Sequence, residues 1–195
     1  MTPSKTWKKS KLLIPLGAAT LLLSACGTLA SKPTPSATPI AVVYRIPTSC
    51  DSTGMLKAIK SSIANAEVIA TQWTPAPGTE LADVIDHGGI ACSYGVQSAE
   101  IGATAMWVEN KGQMFEYRIP AWLNAGYKRV DVTGYPKSRA YLLFKPQSPT
   151  QEFRVWQLEM LVDGFWIRLS TSSGDTTESN LHFVTAAVKS IQPTT

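Results

Sequence analysis

The chain predicts an α+β fold, an antiparallel sheet of about five to six strands packed against N-terminal, middle and C-terminal helices. Three observations carry this. Apolar residues recur at helical spacing at both ends, in Met55, Ile59, Ile63 and Ala66 and in Leu181, Val184, Val188 and Ile191. Between them Ile101, Ala103, Ala105 and Trp107 alternate as in a half-buried strand. Asp163-Gly164 sits between two apolar runs, a two-residue turn in which both positions take positive φ.

The elements follow in order. Ala41 to Ile46 reads as a short strand leading to Cys50. Asp51 or Ser52 is placed to cap a helix that runs to about Ala70. Trp73 to Gly78 is a Pro-rich loop. Thr79 caps a short helix over Leu81 to Ile85, stopped by Gly88 and Gly89. Ile90 to Val96 is a strand carrying Cys92, and Glu100 to Glu109 is the next. Asn110-Lys111-Gly112 turns the chain. Phe115, Ile119, Trp122 and Leu123 have helical spacing, but Pro120 lies among them. The helix either starts at Pro120, where a first-turn proline is tolerated, or is kinked there, and Gly126 ends it. Tyr127 to Val132 and Ala140 to Lys145 are strands around the Gly134-Tyr135-Pro136 turn.

The Asp163-Gly164 turn sets a register for the hairpin from Phe153 to Ser170. Val162 faces Phe165, Met160 faces Ile167 and Leu158 faces Leu169, all apolar. The opposite face pairs Glu159 with Arg168, Gln157 with Ser170, and Leu161 with Trp166. A slip of one residue would destroy this agreement. Asp175-Thr176-Thr177-Glu178 resembles a capping box that opens a last helix through Ile191. The helices are expected on one side of the sheet.

The N-terminus carries a different signal. Lys5, Lys8, Lys9 and Lys11 precede the apolar run Leu12 to Leu23, which falls short of the ~20 residues that span about 30 Å of hydrocarbon. Leu23-Ser24-Ala25-Cys26 then resembles the bacterial lipobox, in which the cysteine becomes the first mature residue and carries lipid. Residues 1–25 are accordingly expected to be a lipoprotein signal peptide and Cys26 the lipidation site. More than one acyl chain makes such an anchor stable, each buried methylene contributing about 0.8 kcal/mol. Residues 26–39 form a Ser/Thr/Pro-rich tether, in which the stretch Thr28 to Pro39 reaches up to roughly 35 Å at about 3.1 Å per residue. Residues 40–195 have the size of one globular domain and hold five of the six Trp residues.

Charge and cysteine usage narrow the function classes. The chain has 18 basic and 14 acidic residues, but four of the basic ones precede Cys26, so the mature part carries 14 of each. Without clustered positive charge, nucleic acid is not an expected partner. With Cys26 lipidated, Cys50 and Cys92 remain as an even pair in an oxidising compartment, which suggests a disulfide. The two histidines, His87 and His182, lack ligand-like spacing, so neither metal nor cofactor is expected.

Cys50 before a helix and Cys92-Ser93-Tyr94 opening a strand resemble actinobacterial surface lipoproteins of unknown function. There a first Cys precedes a helix and a second lies in a Cys-Ser-Trp or Cys-Ser-Tyr strand. The resemblance implies a PsbP-like antiparallel sheet packed between helices, and no catalytic residues. The departures are the Pro120 break and the tyrosine, not tryptophan, at position 94.

The sequence contains no Gly-x-Ser-x-Gly elbow, Ser-x-x-Lys, His-Glu-x-x-His or P-loop. Asp83 with Asp86 is a spacing that solvated helical carboxylates share. The chain therefore reads as a non-enzymatic, membrane-anchored extracytoplasmic lipoprotein that binds a small ligand or an envelope protein. The alternatives are an accessory or structural envelope protein, and a hydrolase with scattered carboxylates. Trp73, Trp122 and Trp166 are the candidate ligand-binding aromatics.

Overall fold

The computed structural model describes residues 43–99, 101–148 and 154–194. The expected signal peptide, Cys26 and the tether lie outside the described residues, which belong to one unit, Ile40–Thr195. Seven strands form one sheet: β2 (Glu67–Ile69), β3 (Ile90–Val96), β4 (Ile101–Glu109), β5 (Lys128–Val130), β6 (Arg139–Lys145), β7 (Val155–Val162) and β8 (Phe165–Thr171). Their spatial order is β2-β3-β4-β8-β7-β6-β5, and every neighbouring pair is antiparallel. A separate ribbon pairs β1 (Val43–Arg45) with β9 (Gln192–Thr194). The sheet is therefore larger than expected.

Four helices accompany it: α1 (Met55–Lys60), α2 (Glu80–Asp86), α3 (Met114–Asn124) and α4 (Leu181–Lys189). They cover both faces of the sheet, not one. Met55, Ile59, Phe183, Val184 and Ala187 from α1 and α4 pack on the face of Cys92, Trp107, Leu158 and Ile167. Val84, Phe115 and Trp122 from α2 and α3 pack on the other, with Met106, Val108, Tyr141 and Trp166. This second face carries the polar residues Glu159, Gln157, Arg168 and Ser170 of the hairpin. It is closed where α2 and α3 lie, by an aromatic group in which Trp122 sits 5.6 Å from Trp166 and 4.9 Å from Phe115.

The hairpin register holds at every predicted pair, Val162 with Phe165 through Gln157 with Ser170. Asp163 and Gly164 both have positive φ, 49° and 83°. Thr79 caps α2 as expected, its side chain accepting from Ala82 N.

Three helix readings need correction. The first helix ends at Lys60, not Ala70, and neither Asp51 nor Ser52 caps it. Ser52 Oγ instead donates to Ser49 O at 2.7 Å, while Ser61 Oγ binds Ala58 O at 2.6 Å and competes with the helix end. The stripe still reaches the core, with Ile63 half-buried and Ala66 buried, so the chain turns and enters β2. The middle helix runs unbroken through Pro120. Buried Met114, Phe115 and Trp122 hold both halves down, which offsets the hydrogen bond that proline cannot make. The last helix starts at Leu181 after a turn in which Ser179 Oγ accepts from Asp175 N and Thr176 N. Its most buried residues are Phe183, Val184 and Ala187; of the predicted stripe, Val184 and Ile191 are buried and Leu181 and Val188 pack half-buried against the same core.

Cys50 and Cys92 are disulfide-bonded with Cα atoms 5.5 Å apart, tying the segment before α1 to β3. Tyr94 reinforces the junction. Its hydroxyl donates to Cys50 O at 3.1 Å and shares a 2.7 Å hydrogen bond with Thr53 Oγ1. Burial pushes that phenol up to about 12.

Candidate functional site

The sheet face under α2 and α3 has two adjoining parts, a partly buried ionic cluster and an open polar floor. Antiparallel pairing builds the floor directly. Ser93 on β3 lies opposite Thr104 on β4, Thr104 opposite Ser170 on β8, and Ser170 opposite Gln157 on β7. Cross-strand partners share a face, so these side chains form one row across four strands. Cys92 and Tyr94 point to the opposite face, because successive strand residues alternate. The next row has Gly95 opposite Gly102, so no side chains stand over that part of the sheet. Gly102 must be glycine there, since a Cβ would fall 2.2 Å from Tyr94 O.

The result is an open cavity of about 320 Å³ lined by Ser93, Thr104, Ser170 and Ser172, with Ile69 and Ile101 at its edge. Ser93, Thr104 and Ser170 are half-buried. Among the described residues their hydroxyls have no hydrogen-bond partner within the protein, whereas Ser172 Oγ reaches Gly102 O at 3.4 Å. Gln157 closes the row. Its Oε1 accepts from Tyr127 OH at 2.8 Å, and burial pushes that phenol above the ordinary tyrosine range. Among the described residues the cavity lining contains no carboxylate, imidazole, amine or guanidinium.

The neighbouring rows hold the charges. Arg168 pairs with Glu80, Arg118 with Asp83 at 2.6 Å, and Arg139 with Glu116. Each pair joins α2 or α3 to the sheet or to the other helix. Trp122 Nε1 donates to Glu80 Oε1. With three cations matched to three anions, Glu159 on β7 is a fourth carboxyl without a counterion of its own. It is 0 % exposed. Trp166 Nε1 donates to its Oε2 at 2.8 Å, and Arg168 Nε stands 3.4 Å from Oε1, an ionic contact longer than a good hydrogen bond. Burial dominates and pushes Glu159 up to about 8, while burial also lowers Arg168 from its usual value.

This shift makes stability depend on pH. Unfolded, Glu159 ionises near its ordinary 4.5; folded, it does so near 8. Between those values the folded chain keeps a proton that the unfolded chain has released. Stability from this group is thus full below about 4.5 and is lost as pH rises through 8, with a slope of up to about 1.4 kcal/mol per pH unit. Glu159→Gln is expected to remove that slope. Urea titrations of both proteins from pH 5 to 9 check it, and parallel pH profiles would contradict it.

The three candidate tryptophans come together, but inside. Trp122 and Trp166 are buried at 2 % and 1 % exposure, in contact with each other. Trp73 is half-buried against the same cluster and its Nε1 donates to Ala91 O at 3.0 Å. Trp122 and Trp166 thus present no open aromatic groove. Asp83 is paired with Arg118 while Asp86 is exposed, and His87 Nδ1 meets the Asp83 carbonyl at 2.8 Å. The hydroxyl row escaped the sequence reading. Its only trace was the parity of Ser93 against Cys92 and of Thr104 against Ala103 and Ala105, and that parity says nothing about which strands are neighbours. No family model, curated protein or solved structure matches this chain.

Proposed function

We propose that this chain is an exported, lipid-anchored binding module that holds a small uncharged polar ligand on the open end of the sheet. The observation that carries the reading is the row Ser93, Thr104 and Ser170. These hydroxyls have no hydrogen-bond partner within the described protein, yet they line a cavity of about 320 Å³. That volume is at the small end of ligand sites. Hydroxyls both donate and accept, so they suit a ligand rich in hydroxyls or amides, and the absence of charged groups among the described lining residues favours a neutral one. The same lining supports binding without catalysis, because it offers neither an acid–base pair nor an activated nucleophile. Beside it Glu159 is fully buried and Arg168 largely so under α2 and α3, which supports an architectural role for both.

The anchor at Cys26 rests on the Leu23-Ser24-Ala25-Cys26 sequence after a basic, apolar leader. Cys26→Ser is expected to abolish incorporation of labelled fatty acid. Label persisting in the variant would refute the anchor.

Binding is tested with a panel of neutral mono- and disaccharides and polyols, read as a rise in melting temperature. At least one is expected to stabilise the protein. Thr104→Val with Ser170→Ala removes two hydroxyls and leaves the fold intact. Each lost hydrogen bond is worth about 1 kcal/mol, so affinity is expected to fall about tenfold to thirtyfold. A panel without effect, or a response unchanged in the double variant, would favour an accessory envelope role instead.

A further inference from the structure

On the opposite side of the sheet, α1 and α4 leave a groove between them of about 700 Å³. Its floor is apolar and half-exposed, made by Ala58, Leu181 and Ala186. A Cβ built on Gly54 would lie 3.8 Å from the Ala186 methyl, so small residues let the two segments approach closely at one end. Lys57 and Lys189 stand at the rim with His182. Neither α1 nor α4 contains an acidic residue. Their titratable side chains are Lys57, Lys60, His182 and Lys189, all of them basic. Among the described residues Lys57 and Lys189 form no ion pair. This is a local excess of positive charge in a chain that carries 14 basic and 14 acidic residues after Cys26.

We infer that this groove binds a fatty acid, its tail along Ala58, Leu181 and Ala186 and its carboxylate between Lys57 and Lys189. The charge complementarity selects the head. An inorganic anion would leave the apolar floor in water, and a neutral chain would leave the two ammonium groups without a counterion. The groove lies within the size range of small-molecule sites, which are concave, mostly apolar and oriented by few polar groups. It is independent of the hydroxyl cavity, from which the sheet separates it.

The test uses the full chain with Cys26→Ser, so that no anchoring lipid competes. Oleate, oleyl alcohol and acetate are titrated against a polarity-sensitive fluorescent probe bound to the protein. Oleate is expected to displace the probe about tenfold more strongly than oleyl alcohol, with no displacement by acetate. Lys57→Gln with Lys189→Gln is expected to erase the preference for oleate, and the two Lys→Arg replacements to keep it. Ala58→Phe fills the floor and is expected to weaken oleate and oleyl alcohol alike; melting curves confirm that each variant is folded. Equal affinity for acid and alcohol, or a preference that survives the double Lys→Gln change, overturns the proposal. So does binding to anionic vesicles without binding to monomeric oleate, which would mark a membrane-facing surface instead.

Discussion

Replacing Cys50 with serine is expected to destabilise the domain by about 4 kcal/mol. The Cys50–Cys92 bond closes a loop across a sequence separation of 42 residues, and the chain-entropy relation gives that magnitude for a loop of this length. The position makes the full effect plausible on structural grounds. α1 has six residues and no side-chain cap, so it cannot hold itself as a helix. It depends on packing Met55 and Ile59 against the sheet, and the disulfide delivers it there. Cys92 is 1 % exposed and its remaining thiol behaves as a small apolar group, while the serine hydroxyl at half-buried position 50 stands where Cys50 Sγ faces Ala91 O, so the loss reports chiefly the crosslink. At about 2–4 °C per kcal/mol for a domain of this size, the melting temperature should fall by roughly 10 °C. Urea titration of the variant beside reduced wild type checks the assignment. The two should coincide, and a variant as stable as the oxidised protein would remove the bond from the stability account.

Arg168→Ala is expected to cost about 3–5 kcal/mol, the usual penalty for breaking a buried pair by removing one partner. Arg168 stands between Glu80 and Glu159, with side-chain exposures of 18 %, 18 % and 0 %. Without it Glu80 loses its counterion and α2 loses its tie to β8. Glu159 moves further from ionisation. Glu80→Gln added to Arg168→Met removes the orphaned charge and keeps the volume, so the double variant is expected to recover part of the loss. Trp122 donates to Glu80 and Trp166 to Glu159, which makes tryptophan emission a local reporter. A loss under about 1 kcal/mol in Arg168→Ala, or no recovery in the double variant, would show that the cluster does not secure the helix layer.

Much of the fold was legible because its signals are local. The Asp163-Gly164 turn sets the hairpin register by two positive-φ residues, and every facing pair through Gln157 and Ser170 follows from counting outward. Thr79 caps a helix through an atom three residues away. The cysteine pair was readable from its number and expected compartment. The readings that failed needed information from elsewhere in the chain. Residues 61–70 carry a helical apolar stripe, yet β3 offers an edge with unpaired backbone groups, and Glu67–Ile69 join it. Pro120 argues against a continuous helix, but three buried side chains around it outweigh one lost hydrogen bond.

The candidate site divides the same way. That Glu159 faces Arg168 follows from the hairpin alone. That both lie under a roof of α2 and α3, and that Trp122 and Trp166 are part of the roof and its support instead of a ligand platform, follows only from where the helices dock. The hydroxyl row is the plainest case. Ser93, Thr104 and Ser170 are separated by 10 or more positions in the chain and become neighbours because β8 pairs with β4. The sequence by itself determined turns, caps, hairpin register and the alternation of side chains on each strand, because these depend on bonds a few residues long. The tertiary structure alone decided strand order, which face each helix covers and which polar groups stay in reach of solvent. Those outcomes depend on long-range burial, in which the whole core competes for the same apolar surface.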